Sequence, residues 1–368
     1  ITGNNVIIKN LNFVNCSAEK GGAIYFYNDG SGNVSGCSFV NCNGKDGGAI
    51  NRADGGSAIY VSGCSFVNCN GEDGGAIYLG NGGSVTSCSF VNCSSNSRIY
   101  GHGGAIYSYS GSVTSCSFVN CSANNSGGAI YFYNYGSVSG CSFVNCSAGN
   151  RGGAICFYSG ASVSDFVSGC SFVNCSAVQY GGAIYSYSGG SVSGCSFVNC
   201  SAVKYGGAIF FRISRSSVSG CSFVNCSAGT RGGAISFYED GNVSGCSFVN
   251  CSAADGGAIY FYSGGSVSGC SFVNCSAVQF GGAIFFRISR GSVSGCSFVN
   301  CSANDEGGAI YFSDSGSVSG SVSGSVSGSV SGCSFVNCSA NDKGGAIYFF
   351  GSGSVNYCIF DNVDASVG

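Results

Sequence analysis

The stretch Val138-Ser-Gly-Cys-Ser-Phe-Val-Asn-Cys-Ser-Ala148 returns, with small changes, along the whole chain. Its core, Phe-Val-Asn-Cys, begins at Phe13, Phe39, Phe66, Phe90, Phe118, Phe143, Phe172, Phe197, Phe223, Phe248, Phe272, Phe298 and Phe335, and a degenerate copy, Phe360-Asp-Asn-Val, follows. Between copies sits Gly-Gly-Ala-Ile, from Gly21 to Gly344, and most spacings fall between 24 and 29 residues. A repeat of this length is one supersecondary unit that contacts only its neighbours, so the copies must stack into a solenoid.

The period inside each repeat says which solenoid. No segment carries a 3.6-residue apolar period over 11 or more residues, whereas alternation is clear in Cys37-Ser-Phe39 and in Ile24-Tyr-Phe-Tyr27. Short strands turned by Gly, Asn and Ser fit the coils of a parallel β-helix. The expected architecture is all-β: one continuous domain over 1–368, a right-handed parallel β-helix with about 25 residues and three short strands per coil. About fourteen coils at ~4.8 Å each give a rod of ~65 Å. Stacking puts Ile on Ile, Phe on Phe and an inward Asn on Asn at the corner, while Gly-Gly supplies backbone freedom at the tightest turn. Irregular stretches read as loops. Arg98-Ile-Tyr-Gly-His102 enlarges one, Asp165-Phe-Val-Ser168 inserts four residues, and Ser317-Val-Ser-Gly, repeated to Gly332, makes an insertion loop at 317–332.

Composition narrows the function classes. The net charge of −3 and 13 Lys and Arg give no field for nucleic acid. No apolar run approaches the roughly 20 residues of a spanning helix. Met is absent, which marks a processed product or a piece of a longer protein. The 27 Cys are spaced Cys-x4-Cys with a single His, which is not a zinc pattern, so no metal or other cofactor is expected and an oxidising, extracellular or cell-surface setting is.

Two readings of the cysteines stay open. If the later Cys of each coil pairs with the earlier Cys of the next, the set closes: Cys16 with Cys37, Cys42 with Cys64, Cys69 with Cys88, and so on to Cys338 with Cys358, leaving Cys156 unpaired. Against this, five extended residues span ~16 Å and a disulfide needs Cα atoms within roughly 4.4–6.8 Å. The other reading is two columns of buried thiols.

The outward face of the Gly-Gly-Ala-Ile strand is the candidate binding surface. The residue after Ile is Tyr25, Tyr78, Tyr107, Tyr131, Tyr185 or Tyr260, and two further on come Tyr27, Tyr109, Tyr133, Tyr158, Tyr187 and Tyr262. Two aromatic columns suit lateral contact with another rod or contact with a glycan; stacking for its own sake is the competing reading. Cys156 replaces a Tyr; an exposed odd thiol there could cross-link molecules, and an inert substitution is the competing reading. Arg212 and Arg215 recur as Arg287 and Arg290. Asn-Cys-Ser matches the glycosylation acceptor at Asn15, Asn92 and Asn120, but an inward ladder would hide those amides; Asn33 and Asn242 are better placed. Acids stand singly at Asp73, Asp255, Asp305 and Asp342, and His102 has no nucleophile motif around it, so no enzyme is expected.

Gly-Gly-Ala-Ile alternating with Phe-x-x-Asn resembles the repeat of the chlamydial polymorphic outer membrane proteins, over Phe13 to Asn362. The resemblance implies a surface-exposed β-helical passenger of the adhesin kind, with no catalytic residues to carry over. This chain departs from the family in the near-identity of its repeats. The expectation is an extracellular structural or adhesive protein, a self-assembling head-to-tail filament subunit, since neither end carries an evident cap and open strand edges recruit further chains. A monomeric adhesin binding host or surface glycans is the alternative, and a carbohydrate-active β-helix enzyme the minor one.

Overall fold

The computed structural model describes residues 1–27, 30–52, 58–80, 82–97, 101–158, 165–213, 216–288, 291–313 and 327–367. The chain divides into two compact units, Ile1–Ser188 and Gly189–Gly368. Both are parallel β-solenoids, and the described residues contain no helix.

One turn of the first unit runs Ser117–Val119, Ser122–Ala123, Ile130–Phe132 and Gly136–Ser139. Each strand pairs in parallel with its equivalent one turn on: Phe118 with Phe143, Ala123 with Ala148, Ile130 with Ile155 and Val138 with Val167. The second unit repeats the scheme, with Phe248 on Phe272, Ile259 on Ile284 and Val243 on Val267. There are thus four strands per turn rather than the three expected. The Ser-Ala pair after the corner makes a two-residue strand of its own. The four strand types recur 14, 13, 14 and 12 times among the described residues, so about twelve turns carry all four, fewer than the fourteen expected.

Alternation places one residue in two inside. Ile130, Phe132, Val138 and Phe143 are fully buried. The Phe rings stack face to face, Phe118 on Phe143 at 4.8 Å with 3° between planes. The corner breaks the alternation. Asn145 has φ 54°, a left-handed conformation that Asn tolerates, and the reversal turns both Phe143 and Cys146 inward. The Asn ladder therefore faces outward and is exposed, not inward as expected, with Asn145 Nδ2 donating to Asn120 Oδ1 at 3.1 Å.

Gly-Gly-Ala-Ile is explained by two different demands. Gly127 has φ 68°. At Gly128 a Cβ would lie 2.0 Å from the Gly153 carbonyl oxygen and 2.4 Å from that of Ser147, a backbone approach that only glycine permits.

All 27 cysteines are thiols, so the staples Cys16–Cys37, Cys42–Cys64, Cys69–Cys88 and Cys338–Cys358 are not made. Earlier cysteines stack on earlier ones and later on later. The Cys37 N–H donates to Cys64 Sγ at 3.4 Å and the Cys64 N–H to Cys88 Sγ at 3.4 Å. In the other column Cys42 Sγ donates to the Phe13 carbonyl at 3.8 Å and Cys69 Sγ to that of Phe39 at 3.7 Å. The Asn corner separates the two columns. Within a column, in-register strands hold Cβ atoms ~4.8 Å apart, wider than the ~3.5–4.5 Å a disulfide takes. The inference of an oxidising compartment from cysteine count loses its footing with the disulfides.

Asp165–Ser168 is not the insertion itself but the strand that resumes after it. The final Ser-Val-Ser copy likewise pairs, Val330 on Val293. The remainder of the 317–332 insertion before Ser327, together with Arg98, Arg215 and Arg290, lies outside the described residues.

Candidate functional site

One column of the repeat does not repeat. The residue just before Gly-Gly pairs with its equivalent through single bridges, and in the first unit the series is Lys20, Asp46, Asp73, His102, Ser126, Arg151, Tyr180. The His102 N–H donates to Asp73 Oδ1 at 2.8 Å, which ties the two halves of that series together. In the second unit the series is Tyr205, Arg231, Asp255, Phe280, Glu306, Lys343.

This column folds over the first tyrosine column and closes it. Tyr131 is 2% exposed, Tyr185 1% and Tyr260 2%, so the outward aromatic surface expected there is a covered layer. Tyr25, Tyr78 and Tyr107 are half-buried. The second column is the exposed one. Tyr27, Tyr109, Tyr133 and Tyr158 face solvent, and Tyr187 and Tyr262 are half-buried. Ring centroids run 5.4 Å from Tyr109 to Tyr133, 6.0 Å to Tyr158 and 6.3 Å to Tyr187. Cys156 is fully buried, in register between Tyr131 and Tyr185, and burial pushes its thiol up, away from the reactive thiolate. With its thiol buried, the inert-substitution reading stands over the cross-linking one.

Between the variable column and the exposed tyrosines lies a cleft of about 570 Å³, lined by Asp73, His102, Tyr107, Asn125, Ser126, Tyr131, Tyr133, Asn150, Arg151 and Tyr158. The Cys156 substitution shapes it. A thiol stands where the neighbouring turns carry a phenol, and Tyr158 tilts to within 6.0 Å of Tyr131. His102 stacks on Tyr131 at 4.3 Å. The Arg151 guanidinium lies over the Tyr185 ring at 5.2 Å, a cation–π contact that fixes its plane. Three buried polar atoms of this cleft have no hydrogen-bond partner: His102 Nδ1, Asn150 Oδ1 and Arg151 Nε. Buried polar atoms in folded proteins are nearly always paired, because an unpaired one costs about 1–3 kcal/mol. Of the nine such atoms among the described residues, three belong to residues that line this one cleft.

Electrostatics follow from burial. Desolvation pushes Asp73 up to about 6, against the pull of the His102 N–H, with Asp46 and Glu72 adding to the rise. Desolvation, helped by the Arg151 charge, pushes His102 down to about 4, so its imidazole is neutral at pH 7. A neutral imidazole with a free nitrogen, a carboxyl that titrates near neutrality and a guanidinium are groups able to bind polar ligands and to move protons. A second carboxylate is absent from the lining, so the paired-acid arrangement of most glycosidases is not present among these residues.

In the second unit most of the same column is paired, although Asp255 Oδ1 and the Tyr260 hydroxyl stay without a hydrogen-bond partner. Arg231 Nε is 3.9 Å from Asp255, and its guanidinium lies over Tyr205 at 5.3 Å and Tyr260 at 5.1 Å. Lys343 Nζ donates to Glu306 at 2.9 Å. Phe280, partly buried, packs on Phe285 and Tyr311, against a buried cluster of Tyr260, Phe285 and Tyr311. Arg287, from the recurring pair, lies over the Tyr262 ring at 5.1 Å.

The sequence-based reading missed His102, Arg151, Asn125 and Asn150 as a group. The available signal was variation against a constant background: the pre-glycine position changes in nearly every copy while its neighbours hold.

No family model matches the chain and no curated protein matches it significantly, so the chlamydial repeat resemblance gains no support from these comparisons. Two solved structures are similar to it. A crystal structure of a double mutant of the periplasmic alginate epimerase AlgG is 11% identical, with a TM-score of 0.41 over 90% of this chain and 84% of that one. A second structure of the periplasmic alginate epimerase AlgG is 11% identical, with a TM-score of 0.36 over 90% and 77%. The exclusion of enzymatic activity made from sequence is corrected on this ground, since both similar structures are those of an enzyme. At this distance the likeness assigns no reaction and no residue role here, and it bears on neither the filament nor the adhesin expectation.

Proposed function

We propose that the protein binds a glycan along the tyrosine-edged cleft of the Ile1–Ser188 unit. The observation that carries this is the coincidence, in one cleft, of three unpartnered buried polar atoms with the exposed rings of Tyr133 and Tyr158. Sugars present hydroxyls around a ring whose C–H faces are apolar. Aromatic faces beside fixed donors and acceptors complement that mixture, and precisely because neither kind of group is satisfied within the protein, both gain on binding. The open ladder of Tyr109, Tyr133 and Tyr158 suits an extended chain rather than a single small molecule. An extracellular or envelope surface is the setting this reading implies, and it now rests on the glycan rather than on the cysteines.

The test is affinity electrophoresis through gels containing neutral or acidic polysaccharides. Retardation is expected with at least one polymer, and Tyr133→Ala combined with Tyr158→Ala is expected to weaken it at least tenfold with unchanged circular dichroism. Migration unaffected by every polymer, or retardation indifferent to the double variant, would overturn the reading. The same mixtures, assayed for new reducing ends, unsaturated sugars or epimerised residues, show whether binding is accompanied by turnover.

A further inference from the structure

We propose that the cleft is selective for an acidic glycan, and that Arg151 receives the carboxylate of a uronate residue. The proposal rests on the glycan reading above and deepens it.

Charges are placed differently along the variable column of the two units. In the first unit Arg151 follows Ser126 and His102, and the nearest acid in the series is Asp73, three turns away. At the spacing of neighbouring strands that is ~14 Å along the column. Asp73 is moreover already held by the His102 N–H at 2.8 Å. In the second unit the corresponding Arg231 has Asp255 in the very next turn, 3.9 Å away. The first unit therefore presents a cation without its acid at a position where the second supplies one.

The state of the guanidinium sharpens this. Its face is taken by Tyr185 at 5.2 Å, while Nε, on its edge, is buried and unpartnered. A guanidinium with its face stacked and an edge free is oriented to meet a planar carboxylate through parallel N–H donors. The neighbouring unpartnered atoms have complementary uses. Asn150 Oδ1 accepts from a hydroxyl, and His102 Nδ1 exchanges a hydrogen bond with a second one, its ring being neutral at pH 7. Tyr158 offers the apolar face on which the sugar ring lies. An uncharged sugar would satisfy the Asn and His atoms but leave the half-buried Arg151 guanidinium, with its buried Nε, without a counter-charge. A phosphate-rich polymer would want several cations, and the lining holds one.

The experiment is isothermal titration of the full chain with a homopolymeric polyuronate, with the same polymer after chemical reduction of its carboxyls to alcohols, and with a sulfated neutral polysaccharide. The native polyuronate is expected to bind at least tenfold more tightly than its reduced form at low salt, and the preference is expected to shrink as salt rises. Arg151→Gln is expected to weaken the native polyuronate far more than the reduced polymer and so to bring the two within about twofold. Arg151→Lys, a point charge without the planar fork, is expected to restore part of the preference. Arg231→Gln is expected to leave it intact. Equal affinity for native and reduced polymers, or a preference that survives Arg151→Gln, overturns the proposal while the glycan reading stands. Equal or tighter binding of the sulfated polymer overturns the choice of carboxylate. No binding of any of the three overturns the glycan reading and this proposal together, and Tyr133→Ala, which weakens all polymers alike, separates the platform from the charge.

Discussion

The variable column of the first unit and that of the second occupy the same place in the repeat and reach opposite outcomes. From Tyr205 to Lys343 the charged residues find partners: Arg231 sits between two rings and beside Asp255, Lys343 holds Glu306, and Phe280 packs on Phe285 and Tyr311, leaving Asp255 Oδ1 and the Tyr260 hydroxyl unpaired but no cation of this column without an acid. From Asp73 to Arg151 they do not. Asp73 is bound only from behind, and His102, Asn150 and Arg151 each leave a buried polar atom unpaired beside an open cleft. The strands beneath are the same in both. The lesson is that in a solenoid the frame is set by the constant columns, and one position per turn is enough to make a surface closed or receptive.

Breaking the frame is expected to have the largest effect and to abolish the contrast altogether. Gly128→Ala drives a methyl to 2.0 Å from the Gly153 carbonyl and is expected to cost on the order of 4 kcal/mol in urea denaturation, or to prevent folding. The frame is also expected to be held without covalent staples. Denatured but unreduced protein is expected to titrate all 27 thiols with a colorimetric reagent, where the fully paired scheme would leave only Cys156.

Next come the two arginines. Arg231→Ala removes two ring contacts and leaves Asp255 without its partner, so a loss of about 1–2 kcal/mol in stability is expected, with glycan binding unchanged. Arg151→Ala gives up only one ring contact, at Tyr185, and relieves an unpaired buried Nε, so its stability is expected to shift by less than about 1 kcal/mol while binding falls. Equal stability losses at both positions would mean that the two columns are built alike.

The smallest expected effect is on pH dependence, and its largest part comes from the first unit, beside a smaller rise at the half-buried Asp255 of the second. Burial pushes Asp165 up to about 7, against the hydroxyls of Ser188 and Ser186, and Asp73 up to about 6. A carboxyl whose pKa is higher in the folded chain than its unfolded ~3.9 binds its proton more tightly when folded. Its contribution is full below that unfolded value and is lost as pH rises through the folded one. His102 works the other way: pushed down to about 4, it favours folding above its ordinary range and loses that contribution as pH falls from ~6.5 toward 4. Of these three groups only the carboxyls still change charge above pH 6.5, and their part of the melting temperature is expected to fall between pH 6.5 and 8. Asp165→Asn is expected to flatten most of that slope, which amounts to on the order of 1 kcal/mol. A profile unchanged in Asp165→Asn would place the titration elsewhere.

How much of this was legible in the sequence differs by column. The Ile, Phe and Val columns were, because period-two alternation repeated a dozen times leaves little choice of what faces in. The Asn corner was legible as a ladder but not in its direction, because a single left-handed residue such as Asn145 reverses the alternation that the rest of the strand obeys. The cysteine count suited a closed set of disulfides, yet the same corner keeps Cys37 with Cys64 and Cys42 with Cys69, in separate columns. The first tyrosine column reads as outward, and it is, but nothing in Tyr131 or Tyr185 says that the preceding residues fold back to cover it. The cleft was the least legible feature. It is made by exceptions to the repeat, a Cys156 in place of a phenol and the run His102, Ser126, Arg151 at one position, and searching for what recurs passes over what differs.

Hydrogen–deuterium exchange of the full chain, with and without a saturating polyuronate oligomer, tests the central claim most directly. Slowed exchange confined to 101–107, 125–133 and 150–158, with 231–262 unchanged, is the result this account predicts. Protection in the second unit's column, or none in the first, would contradict it.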